Sequence, residues 1–194
     1  LNASVTAISL GGTVLVAHSF GAQKKDHAAE ITRQVFVMSI IFSFIISVIM
    51  LVIGGKLPVL LGAESNIVPD ASAYIRIIAL CLIPHFTGLT LAGVLRGSGD
   101  TKTPMRVNLL TNVLNIIGNY ILIFPSHTVH IGKISFNVWG ADLGVVGAAI
   151  SSAASMAISG FIIISIFVFK KFEIRLKFKN FKIKKDILLK VCSI

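Results

Sequence analysis

Val35-Phe-Val-Met-Ser-Ile-Ile-Phe-Ser-Phe-Ile-Ile-Ser-Val-Ile-Met-Leu-Val-Ile53 runs nineteen residues without one charged side chain. An α-helix rises about 1.5 Å per residue, so roughly 20 such residues cross the hydrocarbon core of a bilayer. Backbone amides in lipid must be bonded within their own segment, and a helix does this. The stretch therefore predicts a spanning helix. Moving outward, Ile77–Leu95 is uncharged between Arg76 and Arg96, as are Val107–Phe124 and Leu143–Phe169. Ala3–Phe20 is weaker, with Gly, Ser, Thr and His18, but it too lacks full charges. The expected fold is all-α, a polytopic transmembrane helix bundle with spans at about 2–20, 34–54, 70–96, 103–124 and 143–169.

Composition agrees. Apolar residues make up 55% of the 194 and charged ones 13%, about half the charge of a soluble domain. The net charge of +10 would suit nucleic acid, but its placement does not. Nine of the 18 Lys and Arg lie in 170–190; Lys24, Lys25 and Arg33 form a second group, and Arg96, Lys102 and Arg106 a third. Only Lys56, Arg76 and Lys133 fall elsewhere. With helices alternating in direction, fifteen positive charges gather on one side and three on the other. By the positive-inside rule, loops 21–33 and 96–106 and the tail 170–194 are cytoplasmic, in a plasma or bacterial inner membrane. The expected partners are lipid headgroups, not nucleic acid.

Residues 1–169 read as the transmembrane bundle and 170–194 as a basic linker. Phe172-Glu-Ile-Arg-Leu-Lys-Phe-Lys179 alternates apolar and mostly basic residues, so it is either an extended segment lying on headgroups or, the favoured reading, a linker whose apolar side packs under the bundle. No cleavable signal sequence is expected, and because the chain opens on Leu1 and helical spacing resumes at 184–191, it is expected to be a piece of a longer protein. Pro84 falls in mid-helix and favours a bend. Segment 125–142 is richer in turn formers and holds Trp139, placed to suit the membrane–water interface. Cys81 and Cys192 sit too differently to form a disulfide.

The fourth long helix carries Asn108, Asn112, Asn115 and Asn119 at spacings of four, three and four, which puts all four amides on one face. Such amides in hydrocarbon face the bundle interior, either lining a polar cavity or bonding neighbouring helices. Twelve of the seventeen residues 144–160 are Gly, Ala or Ser, which lets helices approach closely. Ser151, Ser152 and Ser155 can also bond their own backbone. In Leu95-Arg-Gly-Ser-Gly-Asp-Thr-Lys-Thr-Pro-Met105, Gly97 and Gly99 are expected to allow a tight reversal, Asp100 or Thr103 to cap the next helix, and Pro104 to fit its first turn. The phosphate-loop spacing is absent. His127-Thr-Val-His130 could hold zinc, but two ligands do not make a site, and exposed loop histidines are expected. His18 and His85 read as bonded polar residues. No nucleophile elbow, HExxH or Ser/His/Asp arrangement can be placed, so an enzyme has no support.

These motifs resemble the multidrug and toxic compound extrusion (MATE) family. Leu95–Met105 is similar to the cytoplasmic loop between its fourth and fifth helices. Val16-Ala-His-Ser-Phe-Gly-Ala22 is similar to the end of the second, with His18 where the family usually has Gln. Asn115-Ile-Ile-Gly-Asn-Tyr-Ile-Leu-Ile-Phe124 resembles the fifth, and Gly144-Val-Val-Gly-Ala-Ala-Ile-Ser-Ser152 the start of the sixth. The resemblance implies helices two to six of the amino-terminal lobe and an antiporter that exports amphipathic, often cationic, compounds against Na+ or H+. It implies a small-molecule substrate, a second lobe of the same polypeptide as partner, and no cofactor. Asn115 matches an Asn of the family's cation site and Ser152 its hydroxyl. Asn119 stands where some members carry Asp. An amide can coordinate Na+ but cannot carry a proton in this range. The coupling carboxylate is then expected on the first helix or in the second lobe. A lipid-linked saccharide flippase of the same superfamily and a non-transporting membrane scaffold are the alternatives. The flippase should show several cations inside helices, where only Arg76 approaches that, and the scaffold no buried polar stripe.

Overall fold

The computed structural model describes residues 2–131 and 134–169. Along them run α1 (Asn2–Gly21), α2 (Lys25–Ile53), the single turn α3 (Leu57–Leu60), α4 (Val68–Gly97), α5 (Lys102–Ile123), strands β1 (Pro125–Ile131) and β2 (Ile134–Ala141), and α6 (Gly144–Phe169). The five long helices match the uncharged runs, and the fold is an all-helical bundle with one added hairpin. By length and composition α2, α4 and α6 can each cross a membrane, while α1 contributes the shorter apolar stretch Val5–Gly21. The protein is an integral membrane protein. The tail, with its linker reading, lies outside the described residues.

Two boundaries differ from expectation. α2 begins at Lys25, nine residues before the expected start at about 34. Lys25-Asp-His-Ala-Ala-Glu-Ile-Thr-Arg33 is charged yet made mostly of tolerant helix formers, with Asp26 in the first turn where the dipole favours an acid. Its inward face is fully engaged: Ala28, Ile31 and Thr32 are buried. Charge marks where lipid ends, and this helix continues beyond it. The second difference is 125–142, read from the sequence as a segment richer in turn formers with no strand assigned. It forms an antiparallel pair with Thr128 opposite Asn137 and Val129 opposite Phe136, and a register shift between Pro125 and His127. Ser126 fastens the base: its Oγ accepts from Gly140 N at 3.0 Å and donates to Gly140 O at 3.3 Å.

Three helix ends share one device. After α1, α3 and α4, the residue past the cap adopts positive φ: Gln23 at 58°, Gly62 at 79° and Gly99 at 94°. Each time the two hydrogen bonds of a Schellman motif form. For α4 these are Asp100 N to Leu95 O at 2.9 Å and Gly99 N to Arg96 O at 3.1 Å. The motif satisfies carbonyls that a helix end leaves orphaned.

The chain divides into two compact units. The first comprises the chain to Ile45, Ile83–Asn108 and the chain from Ile158. Its core joins Val16, Ile31, Val35, Leu91, Leu95 and Phe167. Close backbone approach tightens it. A Cβ on Gly88 would come 2.5 Å from the Gly160 Cα, and one on Gly93 within 2.7 Å of the hydroxyls of Ser9 and Thr13. Ser9 Oγ donates to Leu89 O at 3.3 Å. The second unit comprises Ile46–Leu82 and Leu109–Ala157. There Ser47 Oγ donates to Ala79 O at 2.7 Å and Ser72 Oγ to Gly55 O at 3.3 Å. Large apolar side chains stay uncovered along the helices, Val52 at 73% and Ile116 at 68% exposure among them. Water would penalise such faces, whereas lipid does not.

Candidate functional site

Within the second unit, α5 and α6 approach so closely that a Cβ on Gly118 would strike the Ser151 hydroxyl and one on Gly147 the Leu122 carbonyl. Short side chains can therefore bridge the two backbones. Ser151 Oγ donates to the Asn115 main-chain carbonyl at 3.0 Å. Asn115 Nδ2 donates to Ser152 Oγ at 3.3 Å, and Asn119 Nδ2 donates to Asn115 Oδ1 at 3.1 Å. The amides at 115 and 119 thus face the start of α6, one helical turn apart, as their spacing requires.

The chain of donors leaves one acceptor over. Asn119 Oδ1 is buried and has no hydrogen-bond partner among the described residues. A buried carbonyl without a donor is costly, about 1–3 kcal/mol. Ser152 Oγ already accepts from Asn115 Nδ2, so these groups offer one neutral oxygen still without a donor among the described residues, and they carry no fixed charge. Such an oxygen suits a hard monovalent cation or a polar substrate group, not a soft transition metal. Among the described residues no three His, Cys, Asp or Glu side chains gather as a metal site.

The remaining expected site residues are placed as follows. Asn112 is exposed on α5 of the second unit and Asn108 is exposed in the first; neither joins the hydrogen bonds just described. Ser151 and Ser152 bond across to α5, so for Ser151 the self-bonding alternative gives way to an interhelical contact. Sequence spacing could not reveal this, because it depends on the partner helix. In the turn, Asp100 is the cap: its Oδ1 accepts from Thr103 N at 3.0 Å. Pro104 is buried in the first turn of α5. Gly97 corrects the expectation that it helps reverse the chain. It is the last helical residue of α4, and its missing side chain admits the Thr13 main chain, whereas Gly99 alone makes the reversal. Arg96 is exposed in the last turn of α4. His18 is exposed, and the His85 ring lies 5.6 Å from that of Phe86. His127 and His130 are residues of β1 whose side chains lie outside the described set.

Comparison with known proteins adds an independent line. The family model described as MatE matches residues 3–121. A "Probable multidrug resistance protein NorM" of Bacillus thuringiensis subsp. konkukian is 33% identical over 157 residues, covering 80% of this chain and 32% of the relative. The protein of the same name from Thermotoga maritima is 29% identical over 171 residues, covering 88% of this chain and 34% of the relative. This chain thus spans about a third of the length of these curated relatives. Among solved structures, one described as the inward-facing conformation of a multidrug resistance MATE family transporter of the MOP superfamily superposes with a TM-score of 0.82 at 24% identity. That match covers 97% of this chain and 40% of that one. At this identity the match concerns the fold.

Proposed function

Because this chain belongs to the MatE family, we propose that it forms helices two to six of the amino-terminal lobe of a secondary antiporter. The full protein exports amphipathic, cationic compounds in exchange for a monovalent cation, by alternating access of two lobes. The observation that carries the reading is the Oδ1 of Asn119, buried and without a hydrogen-bond partner among the described residues, on an amide that bonds Asn115, which in turn bonds Ser152. Burying a neutral acceptor without a donor is tolerated where a passing ligand supplies the missing contact.

Na+ is the coupling ion that these groups favour. An amide carbonyl and a hydroxyl oxygen coordinate it, while neither releases or takes up a proton near neutral pH. The ion is a co-substrate that enters and leaves with each cycle, so moderate rather than tight binding serves it. Charge placement supports the orientation. Among the described residues, the first unit holds Lys24, Lys25, Arg33, Arg96, Lys102 and Arg106, and the second holds Lys56 and Arg76. By the positive-inside rule the turns of the first unit are cytoplasmic. The turn Arg96–Pro104 then keeps its shape as the lobes move, held by the Asp100 cap and the left-handed Gly99. The membrane is a plasma or bacterial inner membrane.

The test is accumulation of a cationic dye in cells carrying the full-length protein, with and without an inward Na+ gradient. Asn119→Leu should abolish gradient-driven export while the protein still inserts at normal levels. Unchanged export in that variant would remove Asn119, and with it this reading of the site.

A further inference from the structure

Past the end of α2, the second unit leaves two cations and a run of large apolar side chains that neither packing nor the asparagine site uses. The chain turns at Gly54 and Gly55 into α3, where Pro58 is buried while Leu60 and Leu61 stand 75% and 77% exposed. Val59, beside them, is exposed as well. Ser72 Oγ donates to Gly55 O, which ties the turn to α4. One helical turn after Ser72, Arg76 brings its guanidinium to the same place, since a Cβ on Gly55 would strike Nη2. Lys56 follows Gly55 directly and is exposed. Among the described residues neither the Lys56 nor the Arg76 side chain makes an ion pair or hydrogen bond, although Glu64 and Asp70 belong to the same segment between α2 and α4.

We propose that this turn binds an anionic phospholipid of the outer leaflet as a resident partner and not as cargo. Arg76 and Lys56 hold the phosphate, and Val59, Leu60 and Leu61 lie against the upper part of the acyl chains. The complementarity is one of charge and of polarity together. A guanidinium presents paired N–H donors that match phosphate oxygens, and the ammonium adds a point charge. Each such cation near an anionic surface contributes about fivefold in binding. A zwitterionic lipid brings an ammonium of its own, which gains nothing beside two cations. A soluble phosphate would leave the leucines in water, which penalises them. The inference goes beyond the antiport reading and takes from it only which face of the membrane the turn meets.

The experiment reads lipid at the turn itself. The full-length protein, with Trp139 and any other tryptophan changed to phenylalanine and Leu60→Trp introduced, is placed in nanodiscs. These contain mixtures of brominated phosphatidylglycerol and phosphatidylcholine, or the reverse pair, because bromine quenches a tryptophan that it touches. Phosphatidylglycerol should be preferred at position 60 about fivefold or more. Arg76→Gln should bring the preference below about twofold, and Lys56→Gln should also lower it. Arg76→Lys, which keeps the charge, should retain about half of it or more. Lys24→Gln, a cation of the first unit, should leave it unchanged. Equal quenching by the two lipids, a preference that survives Arg76→Gln, or no quenching because other parts of the protein cover position 60 would each overturn the proposal. So would loss of the preference in millimolar glycerol phosphate, the mark of a soluble-phosphate site. Ser65→Cys, in the loop after α3, should react with an impermeant maleimide on intact cells; reaction only after the cells are opened overturns the outer-leaflet assignment. Dye export is measured for the parent protein. Export without a lipid preference sinks this site and leaves the antiporter standing, and a preference without export does the reverse.

Discussion

Gly97, the last residue of α4, lies so close to the main chain of Thr13 on α1 that an added Cβ would come 2.5 Å from the Thr13 carbonyl oxygen. The contact is backbone to backbone, so no rotamer change can relieve an added side chain. With Gly93 one turn earlier, it makes a small-xxx-small face, which brings membrane helices together by close packing.

Gly97→Leu should therefore cost about 1–3 kcal/mol, the usual range for overpacking. Thermal unfolding of the detergent-solubilised full-length protein reads the loss. Thr13→Ala should fail to rescue it, because the clash involves main-chain atoms. Rescue would show that the contact runs through the Thr13 side chain instead.

Gly99 is constrained differently, by a φ of 94° and not by a neighbour, since nothing approaches its missing Cβ. Gly99→Ala should cost about 1 kcal/mol for the left-handed backbone. Gly99→Asn, which tolerates that region, should cost less. A larger penalty for Asn than for Ala would show that side-chain size, and not φ, sets the requirement.

Removing the Asp100 cap should destabilise by about 1 kcal/mol, as N-cap losses do. The measurement is the unfolding midpoint of Asp100→Ala against Asp100→Ser and Asp100→Asn. The latter two keep an oxygen within reach of Thr103 N and should stay near the parent value.

Asn115 holds two side-chain hydrogen bonds, one to Ser152 and one from Asn119. Asn115→Ala breaks both and should lower stability by about 1–2 kcal/mol, whereas Ser152→Ala breaks one and should cost about 0.6 kcal/mol. Comparable losses from the two variants would mean that Asn119 has no stake in Asn115.

If Na+ meets the free oxygen of Asn119, NaCl should raise the unfolding temperature more than equal choline chloride. A ligand at ten times its Kd stabilises by about 1.4 kcal/mol. The difference between the two salts should vanish in Asn119→Leu. Its persistence there would place the Na+ effect elsewhere in the protein.

The helices were legible from composition because lipid permits no compromise. A charge cannot stay in hydrocarbon cheaply and a backbone amide cannot go unbonded, so nineteen uncharged residues at 35–53 leave little choice. The asparagine stripe was legible for the same reason, since period alone puts 115 and 119 on one face. The start of α2 and the hairpin were not. Once the chain leaves lipid, charged residues such as Lys25 and Asp26 are compatible with helix or loop, and the paired residues of 125–141 separate into strands only when a partner supplies hydrogen bonds. Gly97 shows the limit most plainly. Its place next to Gly99 suggested a turn, yet its requirement comes from Thr13, far away in the chain. Local chemistry along the chain established that this is a membrane bundle and which face of α5 is polar. Which serine answers which asparagine, and which glycine must be small, depended on helices meeting at close range. Those meetings follow from the packing of whole surfaces and leave no period in the chain itself.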